Sequence, residues 1–301
     1  MGYRYRMTGY VCLLWHATVW VTLKSDVSQL MIDCKPWPKK GGRCHDFGWL
    51  AIWVVLQMNS DQMPLRVAMV VEGPTDYLVL QAVVTALIAP RVVAFTYVQP
   101  EYSTAFESIG CEGAGWPGVY RWCQSAVDLH GSIGLEDNIL FLNHDILVLQ
   151  IDADVATSNY AAGHIYDLTS DLPCAMPCPP VCDTTFALAQ VVLRWLSTSV
   201  CPPNVTLCIP AQSLETWIFV GLYPDDKLAI SSNLECRHGI DRQLAAKPLG
   251  EKLINGSKKN LGMYKKCAQT VANNWAHITS VCSQAQGFEQ HLLKSNLLNI
   301  P

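Results

Sequence analysis

The sequence predicts an α/β domain, a mostly parallel sheet flanked by helices, followed by a more helical and more basic C-terminal part. Short, continuous, β-branched runs such as Arg66 to Val71 and Ile146 to Ile151 have the character of strands buried on both faces. The segments between such runs repeat their apolar residues at helical spacing. Strands alternating with helices imply parallel pairing, because each crossover helix covers a face of the sheet.

Arg66 to Val71 is the first of these strands, and Gly73-Pro74 punctuates its end. Thr75 or Asp76 is placed to cap the helix that follows, in which Leu78, Val79, Ala82, Val83, Ala86 and Leu87 share one face. Val92 to Val98 reads as a second strand, Val119 to Leu129 as a helix, and Ile146 to Ile151 as a strongly apolar third strand. After the proline-rich Cys178-Pro-Pro, Asp183 to Ser197 forms an amphipathic helix and Val205 to Ile209 a further strand. Ser213 to Gly221 reads as a helix carrying Glu215 and Trp217. Beyond Asp225 the chain is more polar, with helix-like stretches at Leu261 to Trp275 and Gln286 to Leu298. There is no internal repeat.

Half of the 301 residues are hydrophobic, enough for a sizeable core. Only 15% are charged and the formal net charge is -4, which argues against a constitutive nucleic-acid coat protein, so polyanion binding requires a local patch. The thirteen cysteines are an odd number, and no signal-peptide pattern opens the chain. These features predict reduced thiols in a cytoplasm. The apolar runs Val11 to Leu23 and Trp49 to Leu56 are shorter than the roughly 20 residues a membrane-spanning helix needs. Five of the ten tryptophans fall within residues 1–62, which show no clean period, whereas Met63 stands directly before Pro-Leu-Arg-Val-Ala-Met-Val-Val-Glu-Gly. Residues 1–62 are therefore expected to be an upstream extension outside the native protein, or else a small accessory segment packing through its tryptophans. Residues 63–225 are the expected α/β domain, with 226–301 packing on it.

Parallel sheets present functional groups at the carboxyl ends of their strands. Glu72 stands at one such end, and Asp152 with Asp154 at another. Clustered carboxylates raise one another's pKa unless a cation neutralises them, and hard oxygen ligands suit Mg²⁺ or Mn²⁺. Asp76, four residues after Glu72, supports the cluster as a neighbouring acid or is only a first-turn helix charge. Glu215 in Ser-Leu-Glu-Thr-Trp completes the site as a ligand or second-metal carboxylate, or is a helix N-terminal glutamate favoured by the dipole.

The order of strand, Glu-Gly, helix, then strand, Asp-x-Asp resembles the TOPRIM domain of topoisomerases, primases and several nucleases. That resemblance implies a Rossmann-like TOPRIM fold in which Glu72, Asp152 and Asp154 bind the metal. A closer likeness covers nearly all of residues 63–301. It rests on Val71-Glu-Gly-Pro-Thr-Asp76, Gly115-Trp-Pro-Gly-Val119 with Arg121-Trp-Cys123, and Asp152-Ala-Asp-Val-Ala156. Leu172-Pro-Cys-Ala-Met-Pro-Cys-Pro-Pro180, Cys208-Ile-Pro-Ala-Gln-Ser-Leu-Glu-Thr-Trp217 and Glu235-Cys236 extend it. These phrases resemble a bacterial family of TOPRIM-like proteins, related to nucleases of the overcoming-lysogenization-defect type and to phage-defence subunits that partner ABC-type ATPases. Residues 1–62 have no counterpart in that pattern.

Positive charge concentrates at Arg242, Lys247, Lys252, Lys258, Lys259, Lys265 and Lys266. Lys258, Lys259 and Lys265 flank a helix start and are the expected contacts to a nucleic-acid backbone, the alternative being a solvated lysine face. Cys174, Cys178 and Cys182 recur every fourth residue, with Cys201 and Cys208 downstream. The prolines among them and the missing paired spacing argue against zinc. Among eight scattered histidines, His164 alone is close in sequence to the acids, and no role is assigned to it. There is no catalytic-triad order, nucleophile elbow, Walker loop or zincin helix.

Two functions follow as expectations. One is Mg²⁺-dependent hydrolysis of DNA or RNA phosphodiesters, in phage defence. The other is a non-catalytic or partner-activated nucleic-acid-binding or sensor subunit working with a separate ABC-type ATPase. Either is compatible with a homo-oligomer and requires no membrane.

Overall fold

In the computed structural model the described residues are 63–100, 113–130, 139–166, 170–256 and 258–298, with short strands at 11–14, 17–21, 32–33, 102–103 and 108–109. The chain divides into two compact units, Met1–Val55 and Leu56–Pro301. In the first, β1 (Val11–Leu14), β2 (Ala17–Val21) and β3 (Ile32–Asp33) form an antiparallel sheet in that order. The tryptophan packing expected within residues 1–62 lies outside the described residues.

The second unit is built on four parallel strands. These are β4 (Leu65–Val70), β5 (Val93–Gln99), β8 (Ile146–Gln150) and β9 (Val205–Cys208), in the order β5-β4-β8-β9. Between β5 and β8 lies a small antiparallel pair, β6 (Tyr102–Ser103) and β7 (Ser108–Ile109). The α/β class and the mostly parallel sheet are as the sequence predicts, and each main strand falls within a residue or two of its expected place.

The two central strands are apolar throughout because helices cover both faces. Val67 and Met69 of β4, with Ile146 and Val148 of β8, pack toward α1 (Pro74–Ile88) and α5 (Leu214–Leu222). Ala68 and Val70, with Leu147 and Leu149, pack on the opposite side toward α2 (Gly115–His130) and α4 (Val181–Trp195). A period-2 pleat with both faces in a core leaves no position for a polar residue until the strand ends. A one-turn helix, α3 (Leu140–Asn143), precedes β8.

The remaining elements are α6 (Ile240–Ala245), the ribbon β10 (Ile254–Asn255) and β11 (Lys258–Lys259), α7 (Leu261–Asn273), α8 (Trp275–Val281) and α9 (Ser283–Leu298). They share the core of α1 and α5, with Tyr264, Val271, Ile278 and Leu292 buried among its residues. The single helix expected over Leu261 to Trp275 ends at Asn273. Asn274 turns the chain into α8, and its side-chain amide donates to the Gly221 carbonyl at 2.7 Å.

Two local expectations are corrected. Neither Thr75 nor Asp76 caps α1: Gly73 is the N-cap, with no side-chain cap bond, and Pro74 takes the first helical position, where its missing N–H costs nothing. Nor are all thiols reduced, since Cys178 and Cys236 form a disulfide with Cα atoms 5.6 Å apart. Cys174, Cys182, Cys201 and Cys208 remain free. Among the described residues, no helix is long and apolar enough to cross a membrane.

Candidate acidic site at the carboxyl ends of the central strands

β4 and β8 are neighbours, so the residues just past their ends meet. Gln150, the last residue of β8, is fully buried and bridges the ends of the two strands. Its side-chain carbonyl accepts from the Glu72 N–H at 3.0 Å, and its amide donates to Asp152 Oδ1 at 2.8 Å. Glu72 Oε1 in turn accepts from the Asp152 N–H at 2.7 Å. Asp152 Oδ1 also accepts from the Leu214 N–H at 3.1 Å, which seats this carboxylate at the start of α5. Asp154 sits in the 3-10 turn Ala153–Thr157, where its N–H donates to the Gln212 carbonyl at 3.0 Å.

Two further acids complete the cluster. Glu215, in the first turn of α5, and Asp76, in the first turn of α1, are each 3% exposed at the side chain. Lys259 reaches between them from the β10–β11 ribbon, with Nζ at 2.8 Å from Glu215 Oε1 and 3.5 Å from Asp76 Oδ1. The Tyr264 hydroxyl donates to Glu215 Oε1 at 2.8 Å.

The electrostatics follow from this crowding. Burial, with Asp76 and Asp154 nearby, pushes Glu72 up to about 8 despite the Asp152 N–H that stabilises its charge. Burial raises Asp76 to about 6, Lys259 opposing and Glu215 adding to the rise. Asp152 is raised well above the ordinary carboxylate value, first by burial and then by Glu72, Asp76, Glu215 and Asp154. Asp154 is raised by burial and Glu215, with His238 and Lys259 opposing. For Glu215, burial is outweighed by Lys259 and the Tyr264 hydroxyl, so its pKa is lowered. Burial alone would lower Lys259, yet Asp76 and Glu215 carry it above the usual lysine value.

The structure thus brings Glu72, Asp76, Asp152, Asp154 and Glu215 into one electrostatic neighbourhood. It gives Lys259, expected at a nucleic-acid backbone, two carboxylate partners instead. Lys258 and Lys265 are exposed. Because adjacent strand residues point to opposite faces, Lys258 is turned away from the acids. The histidine acting on Asp154 is His238, which stands far from it in sequence.

As oxygen donors with surplus negative charge, the acids fit a hard divalent cation. In position they are not gathered: among the described residues no group of three His, Cys, Asp or Glu side chains is arranged to hold a metal ion. A cavity of about 430 Å³ opens at the site, lined by Glu72, Asp76, Asp152 and Lys259 together with Tyr77 and Tyr97.

Sequence reasoning missed Gln150, Tyr264 and the inward turn of Lys259. A polar residue closing the run Ile-Leu-Val-Leu-Gln was the available signal for Gln150. Nothing local marked the other two, which arrive from a distant part of the chain. Comparison with known proteins found no matching family model, curated protein or solved structure.

Proposed function

We propose that this chain is a TOPRIM-type, Mg²⁺- or Mn²⁺-dependent phosphodiester hydrolase acting on DNA or RNA, in a phage-defence setting. The observation that carries the reading is the direct link of Glu72 to the Asp152 N–H across two neighbouring parallel strands, with burial raising both acids and the more exposed Asp154 standing two residues on. Such surplus buried negative charge is relieved by a bound cation. Glu72, Asp152 and Asp154 are the residues that would hold the metal, and Glu215 that would support it. A metal there supplies Lewis acidity and a lowered pKa for bound water. The chain's own contribution is orientation: Gln150 and the α5 N-terminus fix the Asp152 carboxylate, and Asp152's own N–H fixes Glu72. Lys258 and Lys265 are exposed and are among the cations available to a phosphate backbone.

A second reading has its own observation. With Lys259 already paired to Glu215 and Asp76, and the acids not gathered for a metal, the structure also suits a subunit activated by a partner, such as a separately encoded ABC-type ATPase. The deciding assay incubates the full chain with single- and double-stranded DNA and with RNA, in Mg²⁺, Mn²⁺ or EDTA. Glu72→Ala and Asp152→Asn are tested beside it. Metal-dependent cleavage that both substitutions reduce at least 100-fold, in the range typical for removing key charge-stabilising groups, supports hydrolysis. Silence on every substrate by a folded protein sinks the autonomous enzyme and leaves the partner-activated subunit.

A further inference from the structure

The cavity beside the acids has two chemical characters. Its polar part is Glu72, Asp76, Asp152 and Lys259, the groups already described. Its remaining lining is mainly apolar and aromatic: Pro74, Leu78 and Leu261 with the rings of Tyr77 and Tyr97. The two tyrosines stack with centroids 4.4 Å apart and planes 16° from parallel, Tyr97 on the edge strand β5 bracing Tyr77 on α1. Tyr77, Leu78 and Tyr97 are partly buried against the core of α1 and α5, so the aromatic wall of the cavity is held rigidly by packing behind it. Here the first turns of α1 and α7 supply Tyr77 and Leu261, the latter 46% exposed.

A ligand matching both parts has a flat, weakly polar body for the apolar wall and an end that meets the net-negative acids, which for a phosphate means through the cation that the hydrolase reading assigns to them. A nucleotide has that form, since every base offers a π-face to an aromatic ring. At about 430 Å³ the cavity lies near the lower end of the roughly 300–1,000 Å³ range of small-ligand pockets, and so takes one nucleotide. Bases inside an intact duplex reach such a pocket only by leaving the stack.

We propose that this cavity is a nucleobase pocket, in which Tyr77, braced by Tyr97, stacks one unpaired base of the substrate beside the acidic cluster. The inference rests on the hydrolase reading and narrows its substrate class to strands offering an unpaired nucleotide.

Base stacking needs no metal, so the test is calorimetric titration of the full chain in EDTA with adenosine and, as the baseless control, ribose. Adenosine binds and ribose does not. Tyr77→Ala weakens adenosine binding about tenfold or more, the scale of one lost base–aromatic stack, while Tyr77→Phe retains it. Leu261→Trp, at a half-exposed position that tolerates a larger side chain, fills the cavity and weakens adenosine to a similar degree. It keeps the test decisive if Tyr77→Ala does not melt cooperatively. Equal behaviour of adenosine and ribose, or full adenosine affinity in Leu261→Trp, overturns the pocket. Metal-dependent cleavage without adenosine binding removes this inference and leaves the hydrolase; adenosine binding without cleavage does the reverse.

Discussion

Replacing Lys259 with methionine keeps the length of the stem and removes the charge that pairs with both Glu215 and Asp76. The two carboxylates are 3% exposed, so little water takes the ammonium's place. Breaking a buried ion pair by deleting one partner costs roughly 3–5 kcal/mol. Lys259 is itself 37% exposed at the side chain, so a value discounted below that range, about 2–3 kcal/mol, is expected at neutral pH. For a unit of this size such a loss lowers Tm by roughly 4–12 °C. The deficit depends on pH, and its sign is set by the two acids. In the native protein Glu215 is held below its ordinary value, so its contribution to stability is present above the unfolded carboxylate pKa and fades as pH falls through the folded one. Without Lys259, burial dominates both acids and carries their folded pKa values above the unfolded ones. Their contribution is then present in acid and lost as pH rises. The difference between variant and native protein is therefore largest near about pH 7 and shrinks toward about pH 4. Urea unfolding of both proteins at the two pH values measures it. A deficit under about 1 kcal/mol at neutral pH, or one unchanged in acid, refutes the account of Lys259 as the counter-ion of this cluster.

The Cys178–Cys236 disulfide, spanning 58 positions, is worth roughly 4 kcal/mol in the chain-entropy account, so dithiothreitol or Cys236→Ser should lower Tm by about 10 °C. An unchanged melting curve in reductant would show that the bond carries no stability. At the other end of the sheet Asp145 pairs with Arg66 at 2.6 Å, and although burial opposes it, the Arg66 hydrogen bonds hold its pKa low. Its contribution is present at neutral pH and lost in acid. Asp145→Asn should thus cost roughly 0.2–1 kcal/mol near neutrality and progressively less as pH falls through the lowered pKa of Asp145, a difference that paired urea titrations resolve.

The sheet was legible because both of its faces are buried. Apolar runs at Leu65–Val70 and Ile146–Gln150 leave no competing period, and the amphipathic α4 marks its own core face through Leu188, Val191, Val192 and Trp195. Glu72, Asp152 and Asp154 were legible for a related reason, since each is the first charged residue after such a run or stands two positions later. Cap and end positions were less so: Gly73 serves as N-cap without a side-chain bond, and Asn274 breaks what reads as one continuous helix. Neither choice leaves a periodicity to detect. The disulfide joins Cys178 to a residue whose own neighbourhood, Glu-Cys-Arg-His, carries no pairing signal, and spacing alone gave no reason to select it among thirteen cysteines.

What the sequence conceals at the site is mostly its charge balance. Glu72, Asp76, Asp152, Asp154 and Glu215 all lie within the strand-helix alternation that ends with α5, whereas their counter-ion and hydroxyl donor, Lys259 and Tyr264, come from the ribbon and helix after it. Those later elements pack where they do because α7 buries Tyr264, Cys267, Ala268 and Val271 in the core shared with α1, the helix that begins beside Glu72. The C-terminal part is therefore a component of the acidic site rather than a separate basic module. A lysine that reads as a surface phosphate contact sits instead among carboxylates because burying them without a cation costs more than ordering the ribbon that delivers one.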